Sequence, residues 1–162
     1  MDYLWTPWRY QYVSQNSNPQ NCVLCEMAQG DSAKNAERLI LHRARHNFIV
    51  LNIYPYTCGH CMIVPYAHAA DLMTTPPDAV TEMALLARRV EHALEASYHP
   101  QGYNLGINIG RSAGAGIAGH LHLHILPRWA GDTNFMTVTA ETRVLPEDLA
   151  STYKKLAPFF QS

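Results

Sequence analysis

The spacing of apolar and polar positions along the chain predicts a mixture of short strands and helices. Valine, methionine and alanine recur at helical intervals after Thr75, and they predict an amphipathic helix over residues 76–98 that the Thr75 hydroxyl caps. Short apolar runs bounded by turn residues predict strands over residues 39–43, 47–52, 60–64 and 103–109. The pattern therefore predicts both strands and helices.

Three further patterns complete the chain. Residues 136–144 predict a short strand or hairpin, and residues 146–160 predict a C-terminal helix with a weaker apolar face. Residues 120–124 read His-Leu-His-Leu-His, the period of a strand with one buried face and one face lined by histidine.

The three histidines are the main candidates for chemistry, because imidazole acts as nucleophile, proton carrier or metal ligand near neutral pH. On a straight strand, neighbouring histidines of the set stand about 6.6 Å apart and the outer two about 13 Å. Metal–nitrogen bonds are only about 2.0–2.1 Å long, so the three rings cannot all reach one ion. Two neighbours sharing a metal, or a division of roles, both remain open at this point.

Composition limits the function classes. The chain has 162 residues, 48% of them apolar, which suits one domain over residues 1–162 with an aromatic-rich extension over 1–20. A formal net charge of −1 does not indicate the excess of basic residues that binding to duplex nucleic acid requires. No apolar run has the length of a membrane span, and the N-terminus lacks the apolar core of a signal peptide. We therefore expect no membrane or nucleic-acid partner and a cytoplasmic location.

The four cysteines form two Cys-x-x-Cys pairs, Cys22/Cys25 and Cys58/Cys61. In a reducing compartment this spacing indicates metal or redox chemistry before disulfides, and nine histidines favour metal. The separation between the pairs is too long for a usual four-cysteine ribbon. Because Cys61 runs into an apolar strand and Cys58 lies in a turn, the first pair is the better metal candidate.

A loop of small residues precedes the histidines. Residues 110–119 contain four glycines and three alanines, which leave backbone N–H groups accessible to an anion such as phosphate. Small loops are often simple connections. Directly before three histidines, however, this loop predicts a phosphate-binding segment.

The order of these features resembles the histidine triad (HIT) superfamily of nucleotide hydrolases and transferases. The resemblance covers most of the chain and rests on segments 48–52, 59–65, Asn108 with its loop, and 120–128. The continuation Pro-Arg-Trp-Ala-Gly-Asp over 127–132 is similar to the branch that acts on dinucleoside polyphosphates. The resemblance implies the α+β class, with a five-stranded antiparallel sheet and helices, one long and one C-terminal, in a homodimer.

It also implies a role for each site residue. His122 matches the nucleophile that forms a nucleotidyl-histidine intermediate, resolved by water or inorganic phosphate. His124 and His60 match the groups beside the phosphates, and Asn52 matches the ribose contact. Phosphate contacts are implied for Asn108, Gly114, Ala115, Gly116 and Ile117. Many relatives carry Gln-Ser or Gln-Thr where this chain has Gly116-Ile117, so main-chain donors must replace side chains there.

Zinc-bearing members of the family have four ligands that match Cys22, Cys25, His68 and His120 here. Two thiolates and two imidazoles make a closed tetrahedral site, which indicates structural zinc. His42 or His46 remains an alternative to His68.

Three other functions compete with cleavage of a dinucleoside polyphosphate. One is hydrolysis of a nucleoside phosphoramidate, against which the missing Gln-Ser pair argues. The second is a nucleotide-binding zinc protein without catalysis. The third uses the triad itself as a catalytic metal site.

Overall fold

The computed structural model describes residues 22–132 and 147–161. The predicted aromatic extension over 1–20 and the predicted strand over 136–144 lie outside these residues. The elements, in chain order, are α1 (Val23–Gln29), β1 (Ile40–Arg43), β2 (Asn47–Leu51), β3 (Cys61–Pro65), α2 (Pro77–Tyr98), β4 (Gly102–Ile107), β5 (Leu123–Arg128) and α3 (Leu149–Leu156). Short 3₁₀ turns cover Ser32–Lys34, Arg111–Ala113 and Ala157–Phe160.

The five strands form one antiparallel sheet with the order β1-β2-β3-β5-β4. Strand β5 is inserted between β3 and β4, with Met62 opposite His124 and Gly106 on its other side. The predicted five-stranded α+β fold is confirmed.

The histidine segment is only partly a strand. Strand β5 begins at Leu123, and its first pair is with Ile63. His120 and His122 therefore precede the ladder, and both are buried, as is Leu121 between them. The expectation of a regular strand with one histidine-lined face is wrong for residues 120–122, because these side chains are buried among other elements instead of alternating with solvent.

Two apolar clusters lie on opposite faces of the sheet. The larger packs α2, α3 and the C-terminal turn against Ile49, Ile63 and Ile125. The smaller packs α1 against Phe48, Val50 and Val64. Side chains alternate between the two faces along each strand, which explains why β2 is buried throughout its length.

Helix α2 spans almost the range that the sequence predicts, and its buried side chains recur at helical spacing. Its predicted hydroxyl cap is wrong. Pro76 occupies the cap position, and the Thr75 hydroxyl donates instead to the Asp71 carbonyl at 2.6 Å. His99 ends the helix in the left-handed conformation, with φ of 46°.

The C-terminal helix is shorter than predicted. Asp148 caps α3 by accepting a hydrogen bond from the Ser151 N–H, and the last turn tightens to a 3₁₀ helix after Leu156. Across the described ranges, no helix combines the length and apolar character that crossing a membrane requires.

Candidate active site and metal cluster

The candidate site lies on the sheet face opposite α2, where β3 and β5 are neighbours. His124 stands on β5 opposite Met62, and His60 immediately precedes β3. His122 immediately precedes β5, and its ring centroid is 4.8 Å from that of His124. The structure thus brings together His60, His122 and His124, the three residues for which the resemblance implies catalytic roles.

The backbone fixes the proton positions of His60 and His124. The Tyr56 N–H donates to His60 Nδ1 at 3.2 Å, so that nitrogen is an acceptor. In the neutral ring the proton therefore lies on Nε2, which donates to His124 Nδ1 at 2.9 Å. His124 in turn carries its own proton on Nε2. Burial, then the charges of His124 and His122, lowers the pKa of His60 to about 3, which keeps this ring neutral.

The nucleophile candidate, His122, is held by a main-chain carbonyl. His122 Nδ1 lies 2.8 Å from the His120 carbonyl oxygen, so the Nδ1–H donates and Nε2 keeps the lone pair. Burial lowers the pKa of His122 below its ordinary value, although the hydrogen bond to His120 opposes this in part. A neutral imidazole with an available Nε2 lone pair is the form that attacks phosphorus.

The rings of His122 and His124 face a cleft that is open to solvent. Its lining residues are Asn52, Tyr54, Tyr56, Met62, Asn108, Gly114, Gly116, Ile117, His122 and His124. Asn52 is oriented by its neighbours: Oδ1 accepts from the Tyr54 N–H at 2.9 Å, and Nδ2 lies 3.4 Å from His60 Nδ1.

The small-residue loop is only partly available to an anion. The N–H groups of Ala113, Gly114 and Ala115 already bond carbonyls of Gly110 and Arg111 within the loop. Gly114, with φ of 85°, takes the left-handed conformation that glycine favours.

Ile117 anchors the other end of this loop. Its side chain packs in the smaller apolar cluster together with Cys22 and Val64. Ala115 is buried outside the set of cleft-lining residues. The predicted segment over 114–117 therefore meets the cleft at Gly114, Gly116 and Ile117.

A second group of side chains lies beside the first. One donor atom from each of Cys22, Cys25, His68 and His120 lies within 4.8 Å of the other three. His68, instead of the alternatives His42 and His46, completes the group. Cys22 is the N-cap of α1 and Cys25 lies in its first turn, so a short helix places both thiols on one side. The apolar pattern of the sequence does not predict this helix.

The donor set fits a tetrahedral metal ion. Both cysteine sulfurs lie 3.4 Å from His120 Nδ1, and Cys25 Sγ lies 3.2 Å from His68 Nδ1. Sulfur and nitrogen ligands on tetrahedral zinc lie about 3.5 Å apart. Burial, then the hydrogen bond and charge of Cys22, raises the pKa of Cys25 to about 11, so this thiol needs a cation to become a thiolate.

His60, His122 and His124 do not form a second metal group. The 2.9 Å between His60 Nε2 and His124 Nδ1 is a hydrogen-bond distance. Within residues 22–132 and 147–161, the Cys22 group is the only one of three or more His, Cys, Asp or Glu residues that fits a metal ion. The hypothesis of a catalytic metal held by the triad of His120, His122 and His124 therefore has no geometric support there.

Three contributions to the site were not foreseen from the sequence. They are the cleft walls Tyr54 and Tyr56, the Tyr56 N–H that orients His60, and the Pro65 carbonyl that accepts from His120 Nε2 at 2.8 Å. The aromatic turn before His60 was a visible signal for the tyrosines. The two main-chain contacts leave no signal, because any residue type supplies them.

Comparison with known proteins agrees with this geometry. The family model of the HIT domain matches residues 33–131. The chain belongs to the HIT family. It is 33% identical to the AP-4-A phosphorylase of Mycobacterium tuberculosis over an alignment of 159 residues. This alignment covers 95% of this chain and 82% of that protein. The predictions of family membership and of an enzyme of this family are confirmed.

Solved HIT structures show the same fold. A zinc-bound histidine triad family protein from Mycobacterium smegmatis superposes with a TM-score of 0.70 at 30% identity, covering 88% of this chain and 94% of that one. A HIT family protein from Bacillus anthracis gives a TM-score of 0.62 at 26% identity, over 70% of this chain and 77% of that chain.

Proposed function

We propose that this HIT protein cleaves dinucleoside polyphosphates, such as diadenosine tetraphosphate, through a covalent nucleotidyl-His122 intermediate. The observation that carries the proposal is the orientation of His122. Its Nδ1–H is bound to the His120 carbonyl, and its Nε2 lone pair is available beside the solvent-open cleft.

The first step forms a bond from His122 Nε2 to the α-phosphorus and breaks the phosphorus–oxygen bond to the rest of the substrate. The departing oxygen takes the electron pair of that bond. The His124 Nε2–H, whose position is set by the hydrogen bond at Nδ1, stabilises the negative charge on this oxygen. Asn52 and Asn108, which line the cleft, are assigned to the ribose and the α-phosphate.

Inorganic phosphate is the acceptor that we assign to the second step. A phosphate oxygen attacks the nucleotidyl phosphorus, His122 leaves, and a nucleoside diphosphate is released. Two observations support this choice: the similarity to a protein described as AP-4-A phosphorylase, and the small residues Gly114 and Gly116 in the cleft wall. Water in place of phosphate yields a monophosphate instead.

We also infer that the Cys22 group binds zinc and that this zinc has a structural role. The zinc-bound relative from Mycobacterium smegmatis and the donor distances support this choice. With four protein ligands such a site is closed, so zinc would stabilise the fold without contacting substrate.

A homodimer is proposed on the evidence of β4, the last strand in the sheet order of the described residues. An end strand presents unpaired N–H and C=O groups. Beside it lies a groove lined mainly by apolar residues: Leu72, Val80, Met83, Ala84, Ala87, Arg88, Glu91, Leu105, Ile107 and Leu123. Leu105 is 45% exposed, and a second copy is the occupant that we assign to this face.

The test is to incubate the purified protein and its His122→Asn variant with diadenosine tetraphosphate and to identify the products. We expect ADP and ATP from the wild type with phosphate present, and a loss of turnover of at least about 10³-fold in the variant. His99→Asn is the matched control, because His99 lies outside the cleft in a left-handed conformation that asparagine tolerates.

Near-normal turnover by His122→Asn would refute the mechanism. AMP in place of ADP, at any phosphate concentration, would replace the phosphorylase assignment by a hydrolase. Tight nucleotide binding without turnover or adduct would favour the binding protein without catalysis.

A further inference from the structure

One residue, His120, connects the metal cluster to the nucleophile. Its side chain belongs to the cluster, and its main-chain oxygen bonds to His122. Its Nδ1 faces the two cysteine sulfurs at 3.4 Å, and its main-chain oxygen accepts the His122 Nδ1–H at 2.8 Å. We propose that His120 is a positioning residue for catalysis: its ligation in the metal cluster fixes the peptide that orients His122. This inference rests on the proposed role of His122 as nucleophile.

The His120 ring is fixed on both of its nitrogens. Nε2–H donates to the Pro65 carbonyl at 2.8 Å, which leaves Nδ1 as the ligand atom. The side chain is 1% exposed, so water does not replace either contact if one is lost. A ring held at both ends has one orientation, and its main chain is held with it.

The peptide after His120 is tied to the other histidine ligand. The Leu121 N–H donates to the carbonyl of Ala69, the residue that follows His68, at 2.6 Å. His68 itself lies against the glycine before His120: a Cβ at Gly119 would be 3.7 Å from His68 Nε2. The two histidine ligands therefore belong to segments that are bonded to each other beside the nucleophile.

Sheet hydrogen bonds do not provide this support. The pairing of β5 with both neighbours begins at Leu123, one residue after His122. Residues 120–122 therefore depend on the contacts of His120 and Leu121 for their conformation. Without ligation at Nδ1, the His120 ring would keep the Pro65 hydrogen bond and the weaker contacts with the two cysteine sulfurs and the His68 ring.

The cluster also reaches the loop that we assign to phosphate. Cys22 packs in the same apolar cluster as Ile117, whose backbone follows Gly116 at the cleft wall. The Ile117 carbonyl accepts the His120 N–H at 3.3 Å. Loss of the metal cluster is therefore expected to loosen the loop and the nucleophile together, while the His60–His124 pair, on other segments, keeps its geometry.

The experiment compares wild type, Cys25→Ser and Cys25→His. Serine is a poor zinc ligand, whereas histidine restores a nitrogen ligand and serves as the matched control. Zinc per chain is measured by elemental analysis. The tautomer of His122 is read from ¹⁵N-histidine NMR spectra, in which its signals are assigned by their loss in His122→Asn. Turnover is measured separately as kcat and KM.

In zinc-free Cys25→Ser that remains folded, we expect His122 to lose its uniform Nδ1–H tautomer and kcat to fall by about 10–100-fold. The KM for diadenosine tetraphosphate should stay within about 3-fold, since Asn52 is not part of these contacts, whereas the KM for inorganic phosphate should rise because the loop loosens. Cys25→His should recover most of kcat together with zinc. If Cys25→Ser does not fold, His68→Ala, which removes an exposed ligand, takes its place.

A folded, zinc-free variant with an unchanged His122 tautomer and unchanged kcat would overturn the inference. So would a kcat loss of the expected size in Cys25→His with zinc fully bound and the tautomer unchanged. Failure of the proposed function is distinguishable, because it would appear as full activity of His122→Asn, whatever the tautomer measurement shows.

Discussion

The His60 Nε2 nitrogen lies 2.9 Å from His124 Nδ1, and the direction of this hydrogen bond is set by a main-chain group. The Tyr56 N–H occupies His60 Nδ1, so His60 donates and His124 accepts. A neutral His124 consequently presents an N–H, and not a lone pair, at its other nitrogen. In phosphoryl transfer this is the group that stabilises a departing oxygen.

Replacing His60 should therefore impair catalysis without removing the nucleophile. We expect His60→Ala to lower kcat for diadenosine tetraphosphate by about 10²-fold, the lower end of what a positioned proton donor contributes. His60→Gln should retain more activity, because its amide N–H can still donate to His124 Nδ1. The measurement is steady-state turnover at saturating substrate, with thermal unfolding as the control for folding. Equal activity of His60→Ala and wild type would contradict this assignment.

The same residue predicts a pH dependence of stability. The pKa of His60 is about 3 in the fold and about 6.5 in an unfolded chain. Between these values the unfolded chain binds a proton that the folded chain does not, so acidification favours unfolding. This stability contribution is fully present above about pH 6.5 and is lost as the pH falls towards 3.

Urea unfolding of wild type and His60→Gln between pH 4 and 7 measures this effect. Below pH 6.5 the free energy of unfolding of the wild type should fall faster, by at most about 1.4 kcal/mol per pH unit for one proton. The other titrating groups are common to both proteins and cancel in the difference. Parallel pH profiles would show that His60 is not the group responsible.

Much of this fold was accessible from the sequence because its signals are local. The helical spacing before Tyr98 and the short apolar runs before Leu51 and Pro65 predict elements that the structure contains. Helix α1 was missed because seven residues are too few to show a period, although a Cys-x-x-Cys pair at helical spacing was a signal. The prediction of a strand over His120–His122 is wrong because the side chains of His120, Leu121 and His122 are all buried. Their burial depends on packing against distant segments, which a local sequence pattern does not show.

In the candidate site too, the sequence predicts some groups and not others. The side chains His60, His122 and His124 were identified from their pattern and their resemblance to the family. The groups that orient His122 and His60 are the His120 carbonyl and the Tyr56 N–H, whose positions depend on the whole fold. Residue identity carries no information about such main-chain contacts.

Gly59 should be intolerant of any side chain. Its φ is +77°, and a Cβ there would lie 2.7 Å from Leu94 Cδ2. The left-handed conformation alone costs an alanine about 1–2 kcal/mol. Since Gly59 immediately precedes His60, Gly59→Ala should both destabilise the protein by about 2 kcal/mol or more and lower turnover. Urea unfolding and kcat measure the two effects.

Gly131→Ala is the matched control for this substitution. Among the described residues, a Cβ at Gly131 meets nothing within 4 Å, and its φ lies outside the left-handed range. We expect a change in unfolding free energy within about 0.5 kcal/mol. If Gly59→Ala were as stable as this control, the strain assigned to the turn before His60 would be absent.

The proposed homodimer predicts a change of mass on substitution at β4. Leu105 is exposed on this strand beside the apolar groove, so Leu105→Arg places a charge where the second copy would bury apolar surface. Light scattering should give twice the chain mass of 18.2 kDa for the wild type and a single chain mass for the variant. Leu85→Arg is the control, because Leu85 is 57% exposed on α2 outside the groove. A wild type of single chain mass, or a dimer that persists in Leu105→Arg at micromolar concentration, would exclude this face as the interface.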